Sequence, residues 1–239
     1  MAGAGAPGIE LHYLYLDGSG DVLSKRSAAA DWLLRTRLAT ALGLSAEALD
    51  LERGPYGKPR CRQAVQAGLG FNLSHTGDRI VLALRSGGDV GIDLETLSHA
   101  GKALRVARQA YTPMECDRLA RLPATAAEHQ ALCWWVMKEA IAKAVGLTVF
   151  HSLSGVDLAA GRPAIQRGAG LPAGPWRVIA GAFGTHHMLA LALYAGAGLD
   201  GGSPLMIPVY ETKESSGTAP AAIRQWEADF SWEISADSA

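Results

Sequence analysis

The chain has 239 residues, enough for one large domain or two small ones with a real core. Apolar residues make up 49% and charged residues 19%, and 22 Lys and Arg nearly balance 23 Asp and Glu. That is the composition of an ordinary soluble globular protein, and it argues against a chain built to coat nucleic acid or an anionic membrane.

In chain order, the opening "MAGAGAPGIELHYLYLD" lacks the basic start and long apolar run of a signal peptide. No uninterrupted apolar run anywhere reaches the ~18 residues of a spanning helix. Residues 9–16, "IELHYLYL", alternate and carry two tyrosines, the pattern of a strand. Residues 27–42 are rich in helix formers, with Ser27 placed to cap the helix and Gly43 to end it. "GPYGKPR" (54–60) is turn chemistry throughout, and residues 71–95 read as strand, loop, strand, turn, strand. A polar helix is expected over about 100–110 and a longer one over 127–145, ended by Gly146. Residues 158–175 are Gly/Pro-rich loop or hairpin, and 176–195 read as two strands. Residues 199–239 look like an appendage, in which Ile223, Trp226 and Phe230 form one helical stripe that docks on the body. The three cysteines, Cys61, Cys116 and Cys133, show no CxxC or Cys/His spacing. A structural zinc site is therefore not expected, and a reducing, cytoplasmic compartment fits best.

One pattern occurs twice. Set "WLLRTRLATALGLS" (32–45) against "WVMKEAIAKAVGLT" (135–148): Trp32 falls on Trp135, Leu34 on Met137, Arg35 on Lys138, Gly43 on Gly146, Leu44 on Leu147 and Ser45 on Thr148. "VLALRSG" (81–87) falls on "ALALYAG" (190–196) in the same order. The expected fold is therefore α+β: two pseudo-twofold-related halves, each a long helix packed on a small, mostly antiparallel sheet. The divisions expected are 1–100, 101–198 and the appendage 199–239. Ligand sites favour the junction of such halves.

The chemistry-bearing residues fall at that junction. In "GIDLE" (91–95), Asp93 and Glu95 share one face of a strand while Ile92 and Leu94 face the core. In "WWVMKEAIAKAVG" (134–146), Trp135, Glu139 and Lys143 line one helical stripe, and Lys138 points elsewhere. The corresponding positions of the first copy hold Thr36 and Thr40, so the acid and base stand in only one copy. Three carboxylates with no Cys or His ligand suit a hard cation with oxygen ligands, magnesium above all. Because two adjacent acids repel, replacing Asp93 by Ala is expected to leave folding nearly intact.

"GIDLE", followed by "WVMKEAIAK" (135–143) and preceded by "NLSHT" (72–76) and "PYGKP" (55–59), resembles the 4′-phosphopantetheinyl transferases. The likeness is to the larger pseudodimeric type that serves polyketide and peptide synthases, and it covers about residues 10–195. It implies Mg2+-dependent transfer of phosphopantetheine from coenzyme A to a serine of an acyl or peptidyl carrier protein, releasing 3′,5′-ADP, by a cytoplasmic, monomeric enzyme. The family's metal-binding acids fall on Asp93, Glu95 and Glu139. Glu139, Lys143 and His75 are the implied catalytic residues: Glu139 to take the serine proton, Lys143 to reach the α-phosphate, and His75 to touch the pyrophosphate. Ser74 and Thr76 would offer hydroxyls to the 3′-phosphate, and Lys58 and Pro59 would flank the adenine. Arg26 and Arg35 match positions that hold the 3′-phosphate; being nine apart, they are expected on one helical face if the helix begins before Ser27. Glu115 matches a further family position, although an acid near a helix start is ordinary. Two other readings stay open on the residues alone. A magnesium-dependent hydrolase of nucleotide diphosphates needs the same acids and bases, and a non-catalytic duplicated unit would merely bind a carrier or a nucleotide.

Overall fold

The computed structural model describes residues 8–16, 22–159, 164–165, 170–194, 207–212, 222–226 and 230–234. In chain order the strands and helices are β1 (Ile9–Tyr15), α1 (Val22–Leu42), β2 (Leu51–Arg53), β3 (Pro59–Cys61), α2 (Arg62–Gln66), β4 (Leu69–Thr76), β5 (Arg79–Ser86), β6 (Asp89–Thr96), α3 (Ala100–Ala110), α4 (Pro113–Ala120) and α5 (Ala124–Val145). They continue with α6 (Phe150–Leu153), β7 (Val156–Asp157), β8 (Ala164–Ile165), β9 (Trp176–Phe183), β10 (His187–Tyr194), β11 (Ile207–Thr212), β12 (Ala222–Trp226) and β13 (Phe230–Ile234).

These elements build two main sheets, in the orders β12-β11-β1-β5-β4 and β13-β9-β10-β6. All neighbours in them are antiparallel except β1 and β11, which run parallel. Alternate residues of each central strand face opposite sides, and here both sides are buried. Along β5, Ile80, Leu82 and Leu84 pack against Leu33, Leu34 and Leu38 of α1, while Val81 and Ala83 face the second sheet. Along β10, Leu189, Leu191 and Leu193 face the first sheet, while Met188, Ala190 and Ala192 pack beneath α5. The layers therefore run α1, sheet, sheet, α5. That explains why these strands read as nearly continuous apolar runs rather than clean alternations.

The two long helices end alike. Gly43 and Gly146 take positive φ of 66° and 74°, where a side chain would be strained. Past each, a leucine N–H reaches back five residues, Leu44 to the Ala39 carbonyl (3.0 Å) and Leu147 to the Ala142 carbonyl (2.9 Å). This is the same Schellman closure twice, and it is the physical content of the matched "GLS" and "GLT".

Three expectations are corrected. Helix α1 starts at Val22, so Ser27 lies inside it rather than capping it. Strand β6, expected with the first unit, pairs with β10 in the second sheet. Ile223 and Trp226 lie in strand β12 and Phe230 in strand β13, not on a helix. The tail thus adds strands to both sheets. In the Gly/Pro-rich stretch 158–175, residues 164–165 form β8, paired with β7, and 160–163 and 166–169 lie outside the described residues.

A polar network fixes α5 from behind. The Lys138 ammonium is fully buried, 3.0 Å from the equally buried Glu115 carboxylate. It donates to the carbonyls of Ser152 and Leu153 at 3.4 and 2.6 Å, and to that of Val156. Glu115 accepts from the Thr112 and Leu158 N–H groups at 3.0 and 2.9 Å and closes a capping box with Thr112 at the start of α4. Burial pushes the Glu115 carboxyl up and the Lys138 ammonium down, and the opposing charges counter both shifts. Lys138→Met should cost ~3–5 kcal/mol in urea unfolding, because it strands a buried charge. Adding Glu115→Leu should recover part of that loss, which a double-mutant cycle would measure.

Candidate functional site

The site forms where the edge strand of each sheet meets α5. The "GIDLE" glycine sets the distance. A Cβ on Gly91 would lie 1.9 Å from the Ala140 carbonyl oxygen and 2.4 Å from the Ala144 nitrogen. Only glycine lets the α5 backbone rest directly on β6, and that contact delivers Glu139 and Lys143 to the acids of β6.

Strands β4 and β6 are not backbone-paired, yet they are joined. Asn72, Ser74 and Thr76 project from one face of β4 at alternate positions. The Asn72 Oδ1 accepts from the Ile92 N–H at 2.9 Å, and the Ser74 Oγ accepts from the Leu94 N–H at 3.2 Å. Ser74 also donates to Asp93 Oδ1 at 2.9 Å, and Thr76 donates to Glu95 Oε2 at 3.4 Å. All three side chains are buried. They do for the rim of β6 what a neighbouring strand's carbonyls would do.

Lys143 completes the cluster from α5. Its Nζ donates to Asp93 Oδ1 at 2.6 Å and to Ser74 Oγ at 3.2 Å. Burial alone would pull this ammonium down, but Asp93 and Glu139 more than offset it and hold Lys143 above the ordinary lysine range. Glu139 responds in the opposite sense. Burial, then the charges of Asp93 and Glu95, push its carboxyl up to about 7 despite Lys143. Glu95 accepts from the His99 ring Nδ1–H at 2.7 Å, and together with His99, Lys102 and Trp135 it lines a pocket beside the cluster.

The remaining sequence candidates divide. His75 was expected on a loop, but it is the penultimate residue of β4 and points away from the Ser74 face. Partial desolvation, with the Arg26 charge next, holds its ring below the ordinary histidine range. Arg26 reaches from α1 to the Gly77 carbonyl at 3.4 Å, beside His75. Arg35 is not with it. The helix does begin before Ser27, but nine residues turn a helix ~900°, which leaves the two arginines on opposite sides. Arg35 instead pairs with Asp31 at 2.8 Å on the exposed face of α1. Lys58, in the turn before Pro59, crosses to α5 and donates to the Ala144 carbonyl at 2.5 Å. Burial lowers its ammonium to about 8. Asp93 is not merely one of two repelling acids, as the sequence suggested. It is 4% exposed and holds both Lys143 and Ser74, so its removal strips a buried network.

Sequence reasoning missed Asn72, His99 and the obligatory role of Gly91. Asn72 was legible, because it stands in register with Ser74 two residues on. The close approach at Gly91 was not, because nothing local to "GIDLE" says that a helix lies on it.

Among the described residues, no group of three or more His, Cys, Asp or Glu side chains stands arranged to hold a metal ion. Protein donors engage the acids instead. The donor set nonetheless suits a hard cation. Asp93 Oδ2 is buried and accepts no hydrogen bond among the described residues, and burial together with the charges of Asp93 and Glu95 disfavours the ionised form of Glu139. An all-oxygen set with an open carboxylate oxygen and excess negative charge is the chemistry that a divalent cation satisfies.

Comparison with known proteins points the same way. Residues 89–192 match the model of the 4′-phosphopantetheinyl transferase superfamily, a stretch that opens on β6 and closes in β10. A putative 4′-phosphopantetheinyl transferase of Synechocystis sp. is 28% identical over 123 residues, 52% of this chain and 50% of that protein. The 4′-phosphopantetheinyl transferase HetI of Nostoc sp. is 30% identical over 123 residues, 51% of this chain and 52% of that protein. The 4′-phosphopantetheinyl transferase AcpT of Salmonella typhi is 36% identical over 131 residues, 52% of this chain and 63% of that protein. The chain thus spans about half the length of the curated relatives it matches. No described helix is long and apolar enough to cross a membrane.

Because the folded protein holds a proton on Glu139 that the unfolded chain releases above pH ~4.5, this residue stabilises less as pH rises from 4.5 to 7. Without metal, Glu139→Gln should therefore be more stable than the native protein by about 1–3 kcal/mol at pH 8, with the difference vanishing below pH ~4, read by urea unfolding in EDTA.

Proposed function

We propose that the protein transfers 4′-phosphopantetheine from coenzyme A to a serine of an acyl or peptidyl carrier protein, with magnesium, releasing 3′,5′-ADP. The observation that carries this reading is the meeting of Asp93, Glu139 and Lys143 where α5 rests on β6, inside the stretch that matches the transferase superfamily.

The serine Oγ attacks the β-phosphorus of coenzyme A. A new P–O bond forms as the bond to the bridging oxygen breaks, and the electron pair leaves with 3′,5′-ADP. The hydroxyl proton passes to a base. Little covalent work falls to the protein, so catalysis is positioning and neutralisation of charge. Asp93, Glu95 and Glu139 would hold magnesium, which when bound neutralises charge across the pyrophosphate. Lys143 holds Asp93 by Oδ1 and His99 holds Glu95 by Oε2, so Asp93 Oδ2 is the oxygen that would face the ion. Lys143, one turn from Glu139 and bonded to Asp93, supplies the positive charge that would stabilise the departing phosphate. Glu139, which α5 brings to the same cluster, takes the serine proton directly or through water. His75 and Arg26 face the open side and receive the remaining phosphate charge, and Lys58 and Pro59 flank the base. Arg35, on the far side of α1, takes no part in this reading.

The larger pseudodimeric type fits the topology. The order strand, helix, hairpin occurs as β1, α1, β4, β5 and again as β6, α5, β9, β10, with sheet neighbours β1-β5-β4 matching β6-β10-β9. Two such copies about a pseudo-twofold axis put the site at their junction.

An apo carrier protein incubated with coenzyme A, magnesium and this protein should gain the mass of one phosphopantetheine, with 3′,5′-ADP appearing only when the carrier is present. Release of nucleotide without the carrier would point instead to a hydrolase. Asp93→Asn keeps an acceptor for Ser74 but lowers the charge at the site. It should slow transfer ~100-fold or more while the melting temperature moves by only a few degrees, followed by the same mass assay and by thermal unfolding.

A further inference from the structure

Resting on the transferase reading, we infer that Ser74 is a positioning residue for the metal-binding acid Asp93 and not a ligand of the substrate's phosphates. A serine hydroxyl has one proton to donate and two lone pairs to accept with. In the structure all three are engaged. The proton goes to Asp93 Oδ1 at 2.9 Å, and the lone pairs receive the Leu94 N–H at 3.2 Å and the Lys143 ammonium at 3.2 Å. The side chain is 4% exposed and lies on the β6 side of β4, whereas His75 and Arg26 define the opposite, open side. The one proton it could give a phosphate is committed to Asp93.

The geometry assigns a definite task. Ser74 fixes Asp93 by its Oδ1 and leaves Oδ2, which is buried and accepts no hydrogen bond among the described residues, as the oxygen free to meet a cation. By also holding the Leu94 N–H, it fixes the backbone on either side of that carboxylate's neighbour. Thr76, two residues on, stands in the same relation to Glu95 at a longer 3.4 Å. Hydrogen-bonding partners that orient a metal's ligands typically change metal affinity 10–100-fold when removed.

The test separates metal binding from coenzyme A binding, and neither reading depends on turnover. Mn2+ affinity is measured by electron paramagnetic resonance without coenzyme A, and coenzyme A affinity by calorimetry in EDTA. Ser74→Ala should weaken Mn2+ binding ~10-fold or more and leave coenzyme A affinity within ~2-fold, and Ser74→Thr should restore the metal affinity. If the alanine variant does not fold, Ser74→Cys keeps the volume, gives up the strong hydrogen bonds and carries the same two readings. A variant that loses coenzyme A affinity, or keeps its Mn2+ affinity, overturns the assignment and leaves the transferase reading standing. Native protein that binds neither Mn2+ nor coenzyme A overturns both.

Discussion

The site depends on one steric constraint, the seating of a helix backbone on a strand backbone at Gly91. Helices usually stand off a sheet by the thickness of the side chains between them. Here α5 sinks to the strand itself, with Ala190 and Ala192 on the neighbouring strand keeping the groove shallow. Lys143 can then meet Asp93 at hydrogen-bond distance, and Glu139 feels both acids of β6. A helix standing one methyl group higher would leave each of these groups surrounded by water. The charges would then act through a dielectric that erases most of their mutual influence.

A helix seated so closely must also be held against rotation, because a small roll would carry Glu139 away from β6. Lys138 supplies that hold. It neighbours Glu139 but leaves the helix on another side, where the end of α6, the strand β7 and the capping glutamate of α4 receive its ammonium. Tyr111 closes the same region, with its hydroxyl on the Ala131 carbonyl at 3.0 Å and its ring 5.0 Å from the Lys138 ammonium. Two consecutive residues thus divide the work: one charge anchors the helix in the interior, and the next faces the chemistry. The neighbouring tryptophans divide similarly, Trp134 filling the core and Trp135 lining the pocket beside Glu95.

Much of this was legible in the residues. Helix stops at Gly43 and Gly146 and the strand pair from 176 to 194 follow from local chemistry, and the structure has them where the patterns put them. The same-face placement of Asp93 and Glu95 follows from strand geometry alone. What failed was long-range. Which sheet β6 would join depends on the neighbour it finds, not on its own eight residues. The tail around Trp226 was taken for a helical stripe because apolar spacings of three and four fit a helix. In the fold the segment instead lies beside the open edge of β11, and the edge's unpaired amides and carbonyls decide. Ser74 carried a phosphate role through the family resemblance alone; that its strand continues through it and turns its hydroxyl toward Asp93 could not be read from the neighbouring residues.

That tail changes what the two sheets present to the outside. β11 lies along β1, and β13 lies along β9. Without these strands, two inner strands rich in branched and aromatic residues would become sheet borders, each offering a row of unsatisfied backbone groups to the next molecule. Strands β11, β12 and β13, which carry none of the proposed chemistry, move those two borders outward to β12 and β13, whose five residues each offer a neighbour far fewer backbone groups.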